Sequence, residues 1–226
     1  MQTIKYIYDS LKWIKRDQNK DDILIISNNN TLLFVLFDWV SSSISAKKWI
    51  KFIKSFIWKN MNSYIIDGEI KLKDLIFDSN AALLKSNIID SYSTCSAFSF
   101  SEQKQEYKFI NIWDSRIYWI FMNYKKQFSS DDNEKYNKNI LTKYIWRSLD
   151  YKSFEEISLQ KDEIWKWNIL ICSDGFYNIL EKNKLLFHEI LHYKRLWNIR
   201  NRLNKELYKK NIDDASYIYI LTNTDV

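Results

Sequence analysis

Four aspartates stand where apolar runs end or begin, at widely separated points of the chain: Asp38, Asp114, Asp174 and Asp213. Carboxylates gathered at strand ends could hold hard divalent cations such as Mg²⁺ or Mn²⁺, which take oxygen ligands. The Asp174 stretch is the most informative. Residues 169–172 are a short apolar run that breaks into Ser173-Asp174-Gly175, as a buried strand does at a turn. Gly175 permits close backbone approach beside the carboxylate. Strand-end acids also cap helices and form turns, so spacing alone leaves both readings open. A second constellation is His188-Glu189-Ile190-Leu191-His192, the H-E-x-x-H of zinc peptidases, with Glu189 as the general base. The chain has only two histidines, so a third zinc ligand would have to be Glu206 or a later acid. Cys172 has no histidine in a partnering motif and reads as a small buried residue.

The elements that would position these residues follow from apolar periodicity. Residues 23–26 and 32–37 read as a hairpin ending on Asp38. Residues 44–59 and 70–90 read as amphipathic helices, separated by an Asp67-Gly68 turn. Strands over 93–100, 107–112 and 117–122 enclose a tight turn at 113–116. A polar loop over 128–139 and a short helix over 140–149 come next, then strands at 157–159 and 169–172. Helices over 179–192 and 195–209 lead to a closing strand at 217–221. Strand pairs alternate with helix pairs, which favours an antiparallel sheet or sandwich covered by helices.

The chain has 226 residues, 46% hydrophobic and 27% charged, enough for a sizeable core in one domain over 1–226. Two cysteines, neither in a C-x-x-C, point to a reducing compartment. Without a signal-peptide core or a membrane-length apolar run, the expectation is a cytoplasmic protein with no membrane contact. The +6 charge comes from scattered lysines and shows no clustered basic stripe of a nucleic-acid module, though it favours phosphorylated or acidic partners.

The order of short motifs resembles the metal-dependent serine/threonine protein phosphatases of the PPM, or type 2C, family over nearly the whole chain. Trp13-x-x-Arg16-x-x-Asn19-Lys20-Asp21 is similar to G-x-x-R-x-x-N-E-D, and Phe37-Asp38-Trp39 to F-D-G. Ser93-Thr94 falls at the G-S/T-T segment, and Trp113-Asp114-Ser115-Arg116-Ile117-Tyr118 resembles G-D-S-R-x-Y. Phe128-Ser129-Ser130-Asp131-Asp132 and Leu141-Thr142-Lys143-Tyr144-Ile145-Trp146 resemble L-T-x-D-H and L-T-R-A-x-G. Cys172-Ser173-Asp174-Gly175 matches C-S-D-G, and Asp213-Asp214-Ala215-Ser216 resembles the closing D-N/D-A-T.

The resemblance implies an α+β fold, a four-layer α-β-β-α sandwich of two packed antiparallel sheets flanked by helix pairs. It implies two Mn²⁺ or Mg²⁺ ions, with Asp38 bridging them, the Trp39 carbonyl, Asp174 and Asp213 as further ligands, and Asp114 toward a third metal. Arg16 would hold the substrate phosphate through its guanidinium fork. A monomer acting on a phosphorylated protein, beside a cognate kinase, is the implied setting. Lys20 replaces the family's Glu, Val40 and Asp132 replace His, and Asn178 replaces an Asp of the third metal. These departures imply weakened activity, or a binding and regulatory protein on a phosphatase fold.

Trp13, Trp39, Trp113 and Trp146 stand at family glycine positions. Ten tryptophans in 226 residues make four such coincidences a chance of about one in 10⁵ to 10⁶, where average glycine usage is about 7%. The chain has two glycines and no proline. A gene that reads UGA as glycine, rendered here with UGA as tryptophan, accounts for the substitutions; it leaves the missing prolines unexplained.

Overall fold

The computed structural model describes residues 4–28, 30–39, 46–86, 88, 93–121, 124–129, 133–134, 137–141, 151, 155–160, 167–193 and 195–222. In chain order the elements are β1 (Lys5–Leu11), β2 (Asp22–Asn28), β3 (Thr31–Phe37) and α1 (Ala46–Asn60). A 3-10 turn (Met61–Tyr64), β4 (Ile65–Ile66), β5 (Glu69–Ile70) and α2 (Leu72–Leu84) follow. Then come β6 (Cys95–Ser101), β7 (Glu106–Ile112), β8 (Arg116–Phe121), β9 (Tyr124–Gln127), β10 (Asn133–Glu134) and β11 (Asn137–Leu141). The chain continues through β12 (Glu156–Gln160), β13 (Asn168–Cys172), α3 (Asp174–Lys182), α4 (Lys184–His192), α5 (Leu196–Lys210) and β14 (Ala215–Leu221).

Two five-stranded antiparallel sheets, ordered β1-β14-β13-β8-β9 and β12-β7-β6-β3-β2, pack face to face. The side-chain period of two explains why their strands read as nearly continuous apolar runs. In β3, Phe34 and Leu36 enter the layer between the sheets, while Leu33, Val35 and Phe37 meet α1 and α2. In β13, Ile169 and Ile171 face the other sheet, and Leu170 and Cys172 face α3, α4 and α5. Apolar layers on both sides of each sheet make the four-layer α-β-β-α sandwich that the resemblance implied.

The structure corrects several expectations. β1 was not foreseen: its KYIYDSL sequence is half exposed and alternates weakly, and only pairing along the whole of β14 makes it a strand. The helix expected over 70–90 ends at Leu84, where Ser86 Oγ donates to the Leu83 carbonyl at 2.6 Å. The helix expected over 179–192 begins at Asp174 and breaks at Asn183, whose side chain donates to Glu206 at 3.1 Å. Part of the polar loop is the β10–β11 hairpin. In the helix expected over 140–149, residues 140 and 141 belong to β11, and 142–149 lie outside the described residues. Ser41–Ser43, Val40, Asp131, Asp132 and Trp146 also lie outside them.

Glu206 fastens α5 to the start of α4. It accepts hydrogen bonds from Lys210, from Arg202 at 2.9 Å and from Asn183, and those from Lys210 and Arg202 hold its carboxyl down at about 2, against 4.5 ordinarily. A lowered folded value means the carboxylate's contribution is complete above pH 4.5 and lost as pH falls through about 2. Thermal melts between those limits should flatten in Glu206→Gln relative to the parent protein.

Candidate metal and phosphate site

Strand register brings the sequence-predicted site residues to one end of the sandwich. Phe37 pairs with Asp22, Leu36 with Ser96 and Cys95 with Ile112. In the other sheet Cys172 pairs with Arg116 and Tyr217, and Ala215 with Leu11. The loops carrying Asp38, Asp114, Asp174 and Asp213 therefore open on the same edge, joined by the segment between β1 and β2.

Asp38 is fixed through its backbone. Its N–H donates to Thr94 Oγ1 at 3.0 Å, and its carbonyl accepts from Thr94 N–H and Ser93 Oγ, both at 2.8 Å. Thr94 Oγ1 also lies 2.7 Å from Ser115 Oγ, which ties this loop to the Asp114 turn. The next residue, Trp39, bridges to Ser93 with its indole buried. Asp174 N–H lies 3.4 Å from Asp38 Oδ2, so the two sheets deliver their carboxylates to one place. Burial first, then repulsion by Asp21, Asp174 and Asp114, pushes the Asp38 carboxyl well above its ordinary value.

In the sequence Asp21 is only part of a motif; in the fold it is the most constrained acid of the group. It is 6% exposed, and among the described residues neither carboxylate oxygen accepts a hydrogen bond of good geometry. Burial raises it to about 7, with the hydroxyls of Ser173 and Ser216 and the Asp38 carboxyl easing it only in part. A buried carboxylate whose donors are poorly aligned forfeits roughly 1–3 kcal/mol. Asp174 is raised as well, by burial and then by Asp213.

Asp214, likewise overlooked in the sequence, is a clamp. Its Oδ1 accepts Trp13 N–H at 2.7 Å, and its Oδ2 accepts Lys20 N–H at 2.8 Å and Arg16 Nη1 at 2.7 Å. Arg16 also pairs with Asp213, Nη2 donating to Oδ2 at 3.0 Å. Thus Arg16 and Asp213 occupy the expected edge, with Arg16 bonded to both acids. Gly175 makes this approach possible: a Cβ there would sit 2.0 Å from the Asp214 carbonyl oxygen. The signal in the sequence was the second acid of Asp213-Asp214 opposite one of only two glycines.

Among the described residues, no three carboxylates, imidazoles or thiols close into a ready-made metal cage. The donor chemistry nevertheless fits a hard cation: every candidate offers oxygen, and the donor-starved Asp21 faces a mutually repelling pair. The H-E-x-x-H stretch is built otherwise. His188 and Glu189 are exposed on α4, Glu189 is ion-paired to Arg202, and the His192 side chain lies outside the described residues. The Cys172 thiol is fully buried and raised well above its ordinary value by that burial, in keeping with a packing role.

No family model matches this sequence, and no curated protein does. Solved structures do. A bacterial serine phosphatase superposes with TM-score 0.80 at 18% identity, over 99% of this chain and 100% of that one. The serine/threonine phosphatase Stp1 from Staphylococcus aureus gives 0.79 at 18% identity, over 97% and 95%. The Mycobacterium tuberculosis serine/threonine phosphatase PstP/Ppp gives 0.75 at 14% identity, over 96% and 97%. With two antiparallel sheets between helix layers and these neighbours, the chain has the fold of the bacterial serine/threonine phosphatases of the PPM, or type 2C, kind.

Proposed function

We propose that the chain is a metal-dependent phosphatase acting on phosphoserine and phosphothreonine in proteins. The observation that carries this is the buried pair Asp21 and Asp38, Asp21 without a well-aligned donor among the described residues, at the edge where Asp174 also arrives. In this reading Asp38, the Trp39 carbonyl, Asp174 and Asp213 hold two Mn²⁺ or Mg²⁺ ions, with Asp114 beside them. Divalent cations bound there would supply a water of near-neutral pKa and neutralise phosphoryl oxygens.

The protein's own part is positioning. The Ser93, Thr94 and Ser115 hydroxyl network fixes the Asp38 backbone, so its carboxylate does not have to be ordered during reaction. Asp214 holds Arg16 from within, and the half-exposed Asp213 covers the outer side of the guanidinium fork, so a phosphate taken by Arg16 would replace Asp213 there as Asp213 turns to a cation. A cytoplasmic setting and a partner kinase belong to the same proposal.

The test is Mn²⁺-dependent phosphate release from a phosphoserine peptide. We expect release by the parent protein and none by Asp174→Asn. Mn²⁺ binding with no release from any phosphoester would instead favour a binding protein, the reading that Lys20 and Asn178 support.

A further inference from the structure

Beside the carboxylate edge lies a cavity of about 790 Å³, walled by the segment between β1 and β2 on one side and by α1 on the other. Asp21 and Trp39 line its inner end, so it is continuous with the candidate site. Six lysines face it: Lys12, Lys20, Lys47, Lys48, Lys51 and Lys54. Some are engaged. Lys54 pairs with Asp22 at 2.8 Å, Lys47 donates to Gln18 at 3.2 Å, and Lys12 donates to the Asp17 carbonyl at 3.3 Å. Lys48 and Lys51 are exposed, and neither has a carboxylate partner among the described residues.

Their placement is unfavourable for the helix itself. The first turn of α1 carries Lys47 and Lys48 and no acid, so cations crowd the positive end of the helix dipole. Positive charge that helix stability disfavours, lining a cavity that leads to a phosphate site, draws negatively charged groups into the groove. Resting on the phosphatase reading, we propose that this groove binds acidic residues flanking the phosphorylated residue, so that the substrates are phosphoproteins with Asp- or Glu-rich flanks.

Two phosphoserine peptides of equal length, one with Asp/Glu flanks and one with Ser/Gly flanks, test this with Mn²⁺ present. We expect a KM roughly tenfold lower for the acidic peptide, a preference that fades with added salt because it is electrostatic. Lys48→Glu/Lys51→Glu should erase the preference, with p-nitrophenyl phosphate, which has no flanks, as the reference substrate. Equal KM values for both peptides overturn the proposal. Fluorescence polarisation of the labelled acidic peptide separates the two readings. Lysine-dependent binding without hydrolysis of any ester keeps the groove and removes the phosphatase. Lysine-dependent binding of a single-stranded RNA, with none of the acidic peptide, overturns the groove's assignment to phosphoproteins.

A different observation carries a second inference. Trp113 lies in the turn between β7 and β8 with φ +93°, left-handed backbone that costs a side-chain-bearing residue on the order of 1–2 kcal/mol and glycine nothing. Trp39 buries its indole N–H with no acceptor among the described residues, as Trp49 and Trp119 also do, so the backbone at Trp113 is the discriminating observation. Together with the scarcity of glycine, the geometry at Trp113 points to glycine there in the protein as its own cell makes it, from a UGA codon decoded as glycine; the motif positions extend the same expectation to 13, 39 and 146. Codon sequencing and peptide masses from the native protein test this without reference to activity. UGA codons with glycine-mass peptides are expected; UGG codons, or tryptophan in the native peptides, overturn it.

Discussion

Asp38→Asn should remove Mn²⁺-dependent phosphate release while making the metal-free protein more stable. Replacing residues that merely orient a metal ligand costs about 10- to 100-fold, so losing a carboxylate that in the proposed site would itself hold the ions should cost more than about 100-fold. The stability change runs the other way. Asp38 is buried against Asp21, Asp174 and Asp114, and neither Asp21 oxygen accepts a well-aligned hydrogen bond among the described residues. Asparagine removes one charge from this group and offers Asp21 an N–H. A gain of about 1–3 kcal/mol follows if a donor-poor buried carboxylate is relieved, and each kcal/mol moves Tm by roughly 2–4 °C at this chain length. Melts in EDTA, with turnover assays in Mn²⁺, measure both. A lower metal-free Tm in Asp38→Asn would show that these carboxylates are not under mutual repulsion.

Asp214→Ala should be the most damaging single change at this edge. The carboxylate is fully buried and joins β14 to the segment between β1 and β2 through Trp13 N–H, Lys20 N–H and Arg16. Removing one partner of a buried ion pair typically costs about 3–5 kcal/mol, because the remaining charge and N–H groups lose their acceptor. Urea unfolding should show that loss with an unchanged m-value. Limited proteolysis should then cut between residues 12 and 21 first, as local opening concentrates where tethers are lost. A cost below about 1 kcal/mol would mean that Asp213 alone anchors Arg16, and Asp214 would lose its assigned role, since surface pairs contribute that little.

The strand ends were legible because apolar runs stop abruptly at Asp38, Asp114 and Asp174, and a sheet buried on both faces leaves no other reading of such runs. The order of motifs then implied the four-layer fold. β1 was illegible for a physical reason: an edge strand's sequence is half exposed, and its partner lies more than 200 residues away in the chain. The split at Asn183 was hidden too, since only Glu206 across the helix pair tells Asn183 to break the helix.

By itself the sequence determined which residues could do chemistry, and that their types suit hard cations and phosphate. Which of these acids is buried and which is paired emerges only in the packed fold. Asp21 and Asp214 sit beside acids of identical chemistry in the sequence, Asp22 and Asp213. Burial and hydrogen-bond donors separate them: among the described residues Asp21 is buried with no well-aligned donor, Asp214 is buried with three, and Asp22 and Asp213 reach solvent. Those are properties of the packed loops, and no local pattern of residues encodes them.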